Sequence, residues 1–245
     1  MEKTVPAPLD LRLRALMLQR AAERQGASVP SILIGVGLVV LVHWNGPAAA
    51  LLPYFIALRL AMVLHNRWIV QRIAALHGRP EQVLAFEGRF VFGLGAAGAA
   101  WALVGWMVPD IDMRHWSARD VFSCLILVHI SSVMLITAAH SARGLIAHLC
   151  ALWLMVITPT LAHLDRVDES MVIVVAALCM LATSMNYGRM LIRQTRDGVL
   201  AELQREDLTE SLRVANLDLA QALHQAVDAA SHDPLTGALN RRALH

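Results

Sequence analysis

Arg59 stands inside an apolar run from Leu52 to Leu64, where an ionised side chain is costly and signals a function by default. A guanidinium there can hold an anionic headgroup or anchor a polar network between helices. Equally, its long stem can carry the charge out to headgroups about 10 Å away. No acidic residue lies at the same depth to neutralise it. Four histidines also fall in or beside apolar stretches: His43, His129, His148 and His163. Two imidazoles at matched depth can ligate haem or a metal ion. His43 and His163 match in depth. His129 and His148 differ by about 8 Å at about 1.5 Å per helical residue, which disfavours a shared ligand and a bis-histidine haem. All four can instead make hydrogen bonds between helices or at the interface. Trp101 and Trp106 can line a pocket for an apolar ligand, although Trp106 also suits an interfacial anchor. The three cysteines, Cys124, Cys150 and Cys179, sit in separate apolar stretches and read as small packing residues rather than a disulfide framework.

The elements that position these residues follow from hydropathy. Of the 245 residues, 57% are hydrophobic and 16% charged, with a mean hydropathy of +0.53. That is too apolar for a soluble domain and fits a polytopic membrane protein. Six stretches approach the 20 or so residues needed to cross about 30 Å of hydrocarbon: 29–45, 47–65, 89–109, 120–140, 143–164 and 169–190. All must be helices, because an open sheet leaves its backbone unsatisfied in lipid. Asn45-Gly46-Pro47 predicts a tight turn between the first two. Gly93, Gly95 and Gly98 make the third stretch a close-packing helix. The predicted organisation is a basic N-terminal segment over 1–28, a six-span bundle over 29–190, a linker helix over 191–230 and the start of a further domain over 231–245.

Orientation follows from arginine and lysine. One side carries Lys3, Arg12, Arg14, Arg20, Arg24, Arg67, Arg72, Arg79, Arg89, Arg143, Arg189, Arg193 and Arg196; the other carries only Arg114, Arg119 and Arg166. The first side is expected to be cytoplasmic, with both termini inside. The outer loops span about three, ten and five residues. They leave no room for a folded external sensor, so a stimulus has to be read by the helices. Residues 9–24 fit a basic helix on the membrane surface or an extension of the first span. No cleaved signal peptide is expected.

Beyond the sixth stretch, Met190 to Ala230 contains no proline, and charges alternate in sign. Leu208, Leu212, Ala215, Leu219, Ala222 and Ala226 recur at spacings of four and three, a heptad seam that predicts a parallel coiled-coil homodimer. Upstream, Gly198 and Arg205 interrupt that seam, while Val199, Leu200 and Leu203 lie in another register. A register break lets a coil hold two windings of similar energy. A surface helix packed on a following domain is the alternative. Pro234 ends the helix.

The last residues carry a specific pattern. Asp233, Leu235, Thr236, Gly237, Asn240, Arg241 and Arg242 match an Asp-x-Leu-Thr-Gly-x-x-Asn-Arg-Arg motif. This resembles the opening of the GGDEF domain of diguanylate cyclases. The resemblance implies that Asn240 hydrogen-bonds the guanine of GTP, since an amide offers both a donor and an acceptor. It implies that Asp233 and Thr236 shape the first turn. It places the signature loop and the carboxylates that bind Mg²⁺ beyond His245. Residues 1–200 also resemble, more loosely, six-span sensor regions that precede bacterial diguanylate cyclases and histidine kinases, through the short first hairpin, Asn66-Arg67-Trp68, the Gly/Ala-rich third span with Trp101, and the basic exit at Arg189 to Arg196.

The expected fold is therefore an all-α six-helix transmembrane bundle, a long parallel coiled-coil signalling helix and the first turn of an α/β GGDEF domain. The expected function is the sensor region of a diguanylate cyclase in a bacterial inner membrane. It would couple a hydrophobic or amphipathic signal, or membrane lipid itself, to synthesis of cyclic di-GMP from two GTP. The candidate sensing residues are Arg59, His129, Trp101, His43 and His163. No nucleic-acid partner is expected, and no haem or other metal in the membrane region. One alternative is a receptor whose degenerate domain binds GTP or relays to a phosphodiesterase domain. A transporter is the weaker one, because the spans offer no chain of ionisable groups.

Overall fold

The computed structural model describes residues 8–76, 79–108, 116–161 and 167–231. Every element among them is helical: α1 (Leu9–Ala27), α2 (Val29–His43), a 3₁₀ turn (Ala49–Leu51), α3 (Leu52–Ala74), α4 (Pro80–Leu84), α5 (Glu87–Trp106), α6 (Ala118–Thr137), α7 (Ala142–Leu161) and α8 (Val167–Ser231). Five helices are long and apolar enough to cross a membrane, or six if α1 and α2 count as one bent span. The chain is a multi-pass membrane protein by this measure. It divides into two compact units, residues 1–199 and 200–245.

The first span departs from expectation. Residues 29–45 do not cross alone: α2 has 15 residues, about 22 Å of helix, which is short of the hydrocarbon thickness. It continues α1 through a 46° bend. Pro30, in the first turn of α2, breaks the backbone ladder there, and the Ser28 hydroxyl donates to Gln25 O at 2.8 Å. One face of α1 packs against the bundle. Leu13, Ala15, Leu18, Ala21 and Ala22 are buried, and α1 packs on α3 and α4. Leu9–Ala27 thus packs within the same compact unit as the bundle. The second span also runs further than the apolar block, to Ala74, because its buried face continues through Asn66, Ile69 and Ile73.

Two helix ends have side-chain partners. The Ser117 hydroxyl and amide both donate to Asp120 Oδ2, at 2.6 and 2.9 Å, closing a capping box at the start of α6. Arg119 Nε donates to Val42 O at 2.9 Å, filling an orphan carbonyl at the end of α2. A Cβ on Gly46 would meet that guanidinium at 2.9 Å, so the arginine lies close over the bare turn after α2.

The most extensive helix pair is α5 with α7. A Cβ on Gly98 would run into the His148 carbonyl oxygen, and one on Gly105 would meet Val156 at 3.3 Å. Two cross-helix bonds complete this pair. His148 Nδ1–H donates to Leu94 O at 2.9 Å, and Trp106 Nε1–H to Met155 O at 3.2 Å. By contrast, α8 meets the bundle through a sparser, mixed face on which Val174, Met180, Leu181, Met185 and Ile192 are only partly buried against the core. Ala177 and Ser184 are buried, and a Cβ on Gly188 would meet Leu145 Cδ2 at 2.7 Å. Only 17% of its apolar window is covered, against 39% for α5, α6 and α7, and Met171, Val172, Val175, Leu178 and Tyr187 are exposed.

In the second unit, α8 continues without interruption to Ser231. Its seam is uncovered in the single chain: Leu208, Leu212 and Leu219 are each about two-thirds exposed, and Ala215, Ala222 and Ala226 are exposed as well. The competing register differs, with Val199 and Leu203 buried. Residues 232–245, with Asn240 and the rest of the motif, lie outside the described residues.

Candidate functional site

The bundle's charged interior is organised around α3. Leu52, Phe55, Arg59, Asn66, Ile69 and Ile73 are its buried residues, at spacings of three, four, seven, three and four, so they share one face. Arg59 is 3% exposed and does not run out along the surface. Its Nη1 donates to Ala97 O on α5 at 3.0 Å, and its guanidinium carbon lies 4.4 Å from the centre of the Trp101 ring. The cation is therefore held by a carbonyl dipole and a π face, a combination that strengthens where water is excluded. Phe55, one turn before Arg59, tilts against Trp101 with centroids 5.6 Å apart. Gly35 admits the far edge of the indole, since a Cβ there would sit 2.9 Å from Trp101 Cη2. Arg59 and Trp101, two of the candidate sensing residues, thus form one unit spanning α3 and α5, with α2 closing over it.

A cavity of about 20 Å³ adjoins the guanidinium and is lined by Gln25, Arg59 and Asn66 among others. Gln25 Oε1, Arg59 Nε and Asn66 Oδ1 are all buried without a protein partner. The space has room for a water, and donor and acceptors to hold it. Asn66 packs its carboxamide into the notch left by Gly93. The polar chain thus runs from the α1–α2 bend, at Gln25, through α3 to α5. Sequence reading singled out neither Gln25 nor Asn66 for this role. The phase of α3 was the available signal, since Asn66 lies seven residues from Arg59 on the same face.

The other candidates fall elsewhere. His43 is fully buried on α2, and its Nε2 lies 2.9 Å from Ser123 Oγ. The Ser123 proton goes to Arg119 O at 2.9 Å, so the imidazole N–H is the donor to Ser123. His43 is an interhelical strut between α2 and α6. His163, its expected counterpart, lies outside the described residues. His129 is on the exposed face of α6, away from His148, which is buried between α5 and α7. Among the described residues, no three His, Cys, Asp or Glu side chains gather as a metal site.

At the arginine-rich end, Glu87 at the start of α5 pairs with Arg14 at 3.2 Å and with Arg143 at 3.4 Å, tying α1, α5 and α7 together. His140, between α6 and α7, is 5% exposed. Burial first, then the charges of Arg24 and Arg20, pull its pKa down to about 4, so the imidazole is neutral at physiological pH.

The Arg59 arrangement makes a prediction about what the charge is for. Replacing a buried, incompletely paired ion by an apolar side chain of similar volume is often neutral or stabilising. Arg59→Met is therefore expected to leave the melting point in detergent unchanged or higher. Arg59→Glu, which sets an anion against Ala97 O and the indole face, is expected to cost several kcal/mol. A thermal scan of both variants checks this; a marked loss in Arg59→Met would make the arginine a structural strut. No family model, curated protein or solved structure matches the chain.

Proposed function

We propose that this chain is the membrane-embedded sensor region of a diguanylate cyclase. A hydrophobic or amphipathic signal, or the bilayer itself, shifts helix packing around the Arg59–Trp101 pair. The shift passes to α8, which sets the winding of a parallel homodimeric coil through Leu208, Leu212, Ala215, Leu219, Ala222 and Ala226. The coil sets how two GTP-binding domains face each other to form cyclic di-GMP, with Asn240 contacting guanine. The arginine distribution favours both termini in the cytoplasm, and the resemblance to diguanylate cyclases implies a bacterial inner membrane.

The observation that carries the reading is α8. It is one uninterrupted helix of 65 residues, apolar at its start and polar with an uncovered heptad seam later. It is described as far as Ser231, two residues before Asp233 and the motif that resembles the cyclase domain's opening. A helix that continues from a span to an output domain transmits rotation or sliding with little loss, because its backbone hydrogen bonds hold it as a rod.

The test uses the full-length protein carrying this chain, in nanodiscs with GTP and Mg²⁺. Formation of cyclic di-GMP supports the reading and supplies an assay for screening lipidic signals on wild type and Arg59→Met. GTP binding without product would instead point to a degenerate receptor domain. Neither binding nor product would remove the cyclase reading.

A further inference from the structure

We propose that the cavity at the arginine-rich end of the bundle binds a phosphate-bearing anion, presented by an anionic phospholipid headgroup or free in solution. The cavity is an open cleft of about 370 Å³, within the size range of small-ligand pockets. Its wall draws on α1, α5, α7 and α8 through Arg14, Glu87, Arg143 and Arg196, and on His140 and Ser141 from the α6–α7 turn. Asp10 also lines it, so three guanidiniums face two carboxylates. Glu87 already bridges Arg14 and Arg143, and one carboxylate leaves that pair in positive excess. Arg196 has no ion-pair partner among the described residues.

Two further observations point to a ligand. His140 is 95% buried, lines the cavity, and its Nδ1 has no partner. The cavity also holds the first turn of α7. Ser141 Oγ accepts the Gly144 N–H at 3.2 Å, while Ala142 and Arg143, in the same turn, line the space. A helix N-terminus flanked by arginines is a ready anion site, and guanidinium forks match phosphate geometry. Basic pockets between membrane helices at the interface are also where phospholipid headgroups seat. An occupant would join Arg196 on α8 to Arg14 on α1 and Arg143 on α7. The lipid charge of the membrane would thereby hold the helix that the bundle itself grips least. The site stands on this geometry alone and does not require a cyclase output.

The experiment takes the purified chain in neutral detergent and measures its melting point against added phosphatidylglycerol, phosphatidylcholine and inorganic phosphate. Phosphatidylglycerol is expected to raise the melting point and phosphatidylcholine to leave it unchanged. A rise with inorganic phosphate as well would identify a free-anion site; a rise with phosphatidylglycerol alone would identify a lipid site. Arg196→Gln and Arg143→Gln should each weaken the apparent affinity about fivefold, with Arg196→Lys closer to wild type. Arg72→Gln, at the end of α3 and outside the cavity, should behave as wild type. Equal responses in Arg196→Gln, Arg143→Gln and Arg72→Gln would overturn the proposal, as would no response to either anion in wild type.

Discussion

Gly98→Val is expected to be the most damaging single substitution in the membrane bundle, and Gly98→Ala to be harmful as well. In an isolated helix, alanine in place of glycine gains about 1 kcal/mol. At Gly98 the added Cβ would enter the space of the His148 carbonyl oxygen, which is backbone and cannot rotate away. Either α5 and α7 separate, or the helices bend. Separation would also stretch the His148–Leu94 and Trp106–Met155 bonds, which flank Gly98 along the pair. Overpacking costs about 1–3 kcal/mol for a methyl group, and a branched side chain adds to that. The expected order of melting points is wild type, then Gly98→Ala, then Gly98→Val, the last with little folded protein. Gly37→Ala provides the contrast, because nothing lies within 4 Å of its Cβ position, and it should equal or exceed wild type. A Gly98→Ala protein as stable as wild type would show that α5 and α7 do not approach this closely.

The second large effect concerns the seam in α8. If Leu212 and Leu219 lie at the centre of a two-stranded interface, an aspartate at either buries two unpaired carboxylates per dimer. Leu212→Asp or Leu219→Asp is then expected to weaken dimerisation at least about a hundredfold and to abolish cyclic di-GMP output in the full-length protein. Exposure alone does not make this prediction. Leu217 is 59% exposed, much like Leu212 and Leu219, but falls on the opposite side of the heptad. Leu217→Asp should leave both dimer and output intact. Sedimentation in detergent, with the three variants side by side, checks the register. Unchanged association of Leu212→Asp and Leu219→Asp would mean that the coil is not the coupling element.

How much of this was legible beforehand depended on what kind of contrast the chain supplies. Apolar blocks bounded by polar residues located α5, α6 and α7 to within a few residues, since water and lipid set those boundaries. The bend at Ser28 was harder. Pro30 was an available signal that the sequence reading did not use, and the burial of Leu13, Leu18 and Ala22 against α3 and α4 depends on tertiary packing that hydropathy does not report. Arg59 was identifiable as costly, yet its two destinations remained open, because a helix that is apolar nearly all round hides which face is inward. The phase of Phe55, Asn66, Ile69 and Ile73 would have resolved it. The glycines of α5 announced close approach without naming α7 as the partner, since small residues fit any neighbour. His43 and Ser123, 80 residues apart, meet only through the fold.

The sparse contact of α8 has a mechanical consequence. Where α5 and α7 interlock, relative motion has to lift side chains out of notches and break two cross-helix bonds. Where α8 meets the bundle the contact is sparser: Ala177 and Ser184 are buried, Leu145 seats against Gly188, Met180, Met185 and Ile192 are only partly buried, and most of the apolar window is not gripped at all. The molecule thus combines a stiff frame with one compliant shaft. Displacing the shaft along or about its axis disturbs fewer contacts than displacing α5 against α7, so motion is expected there first.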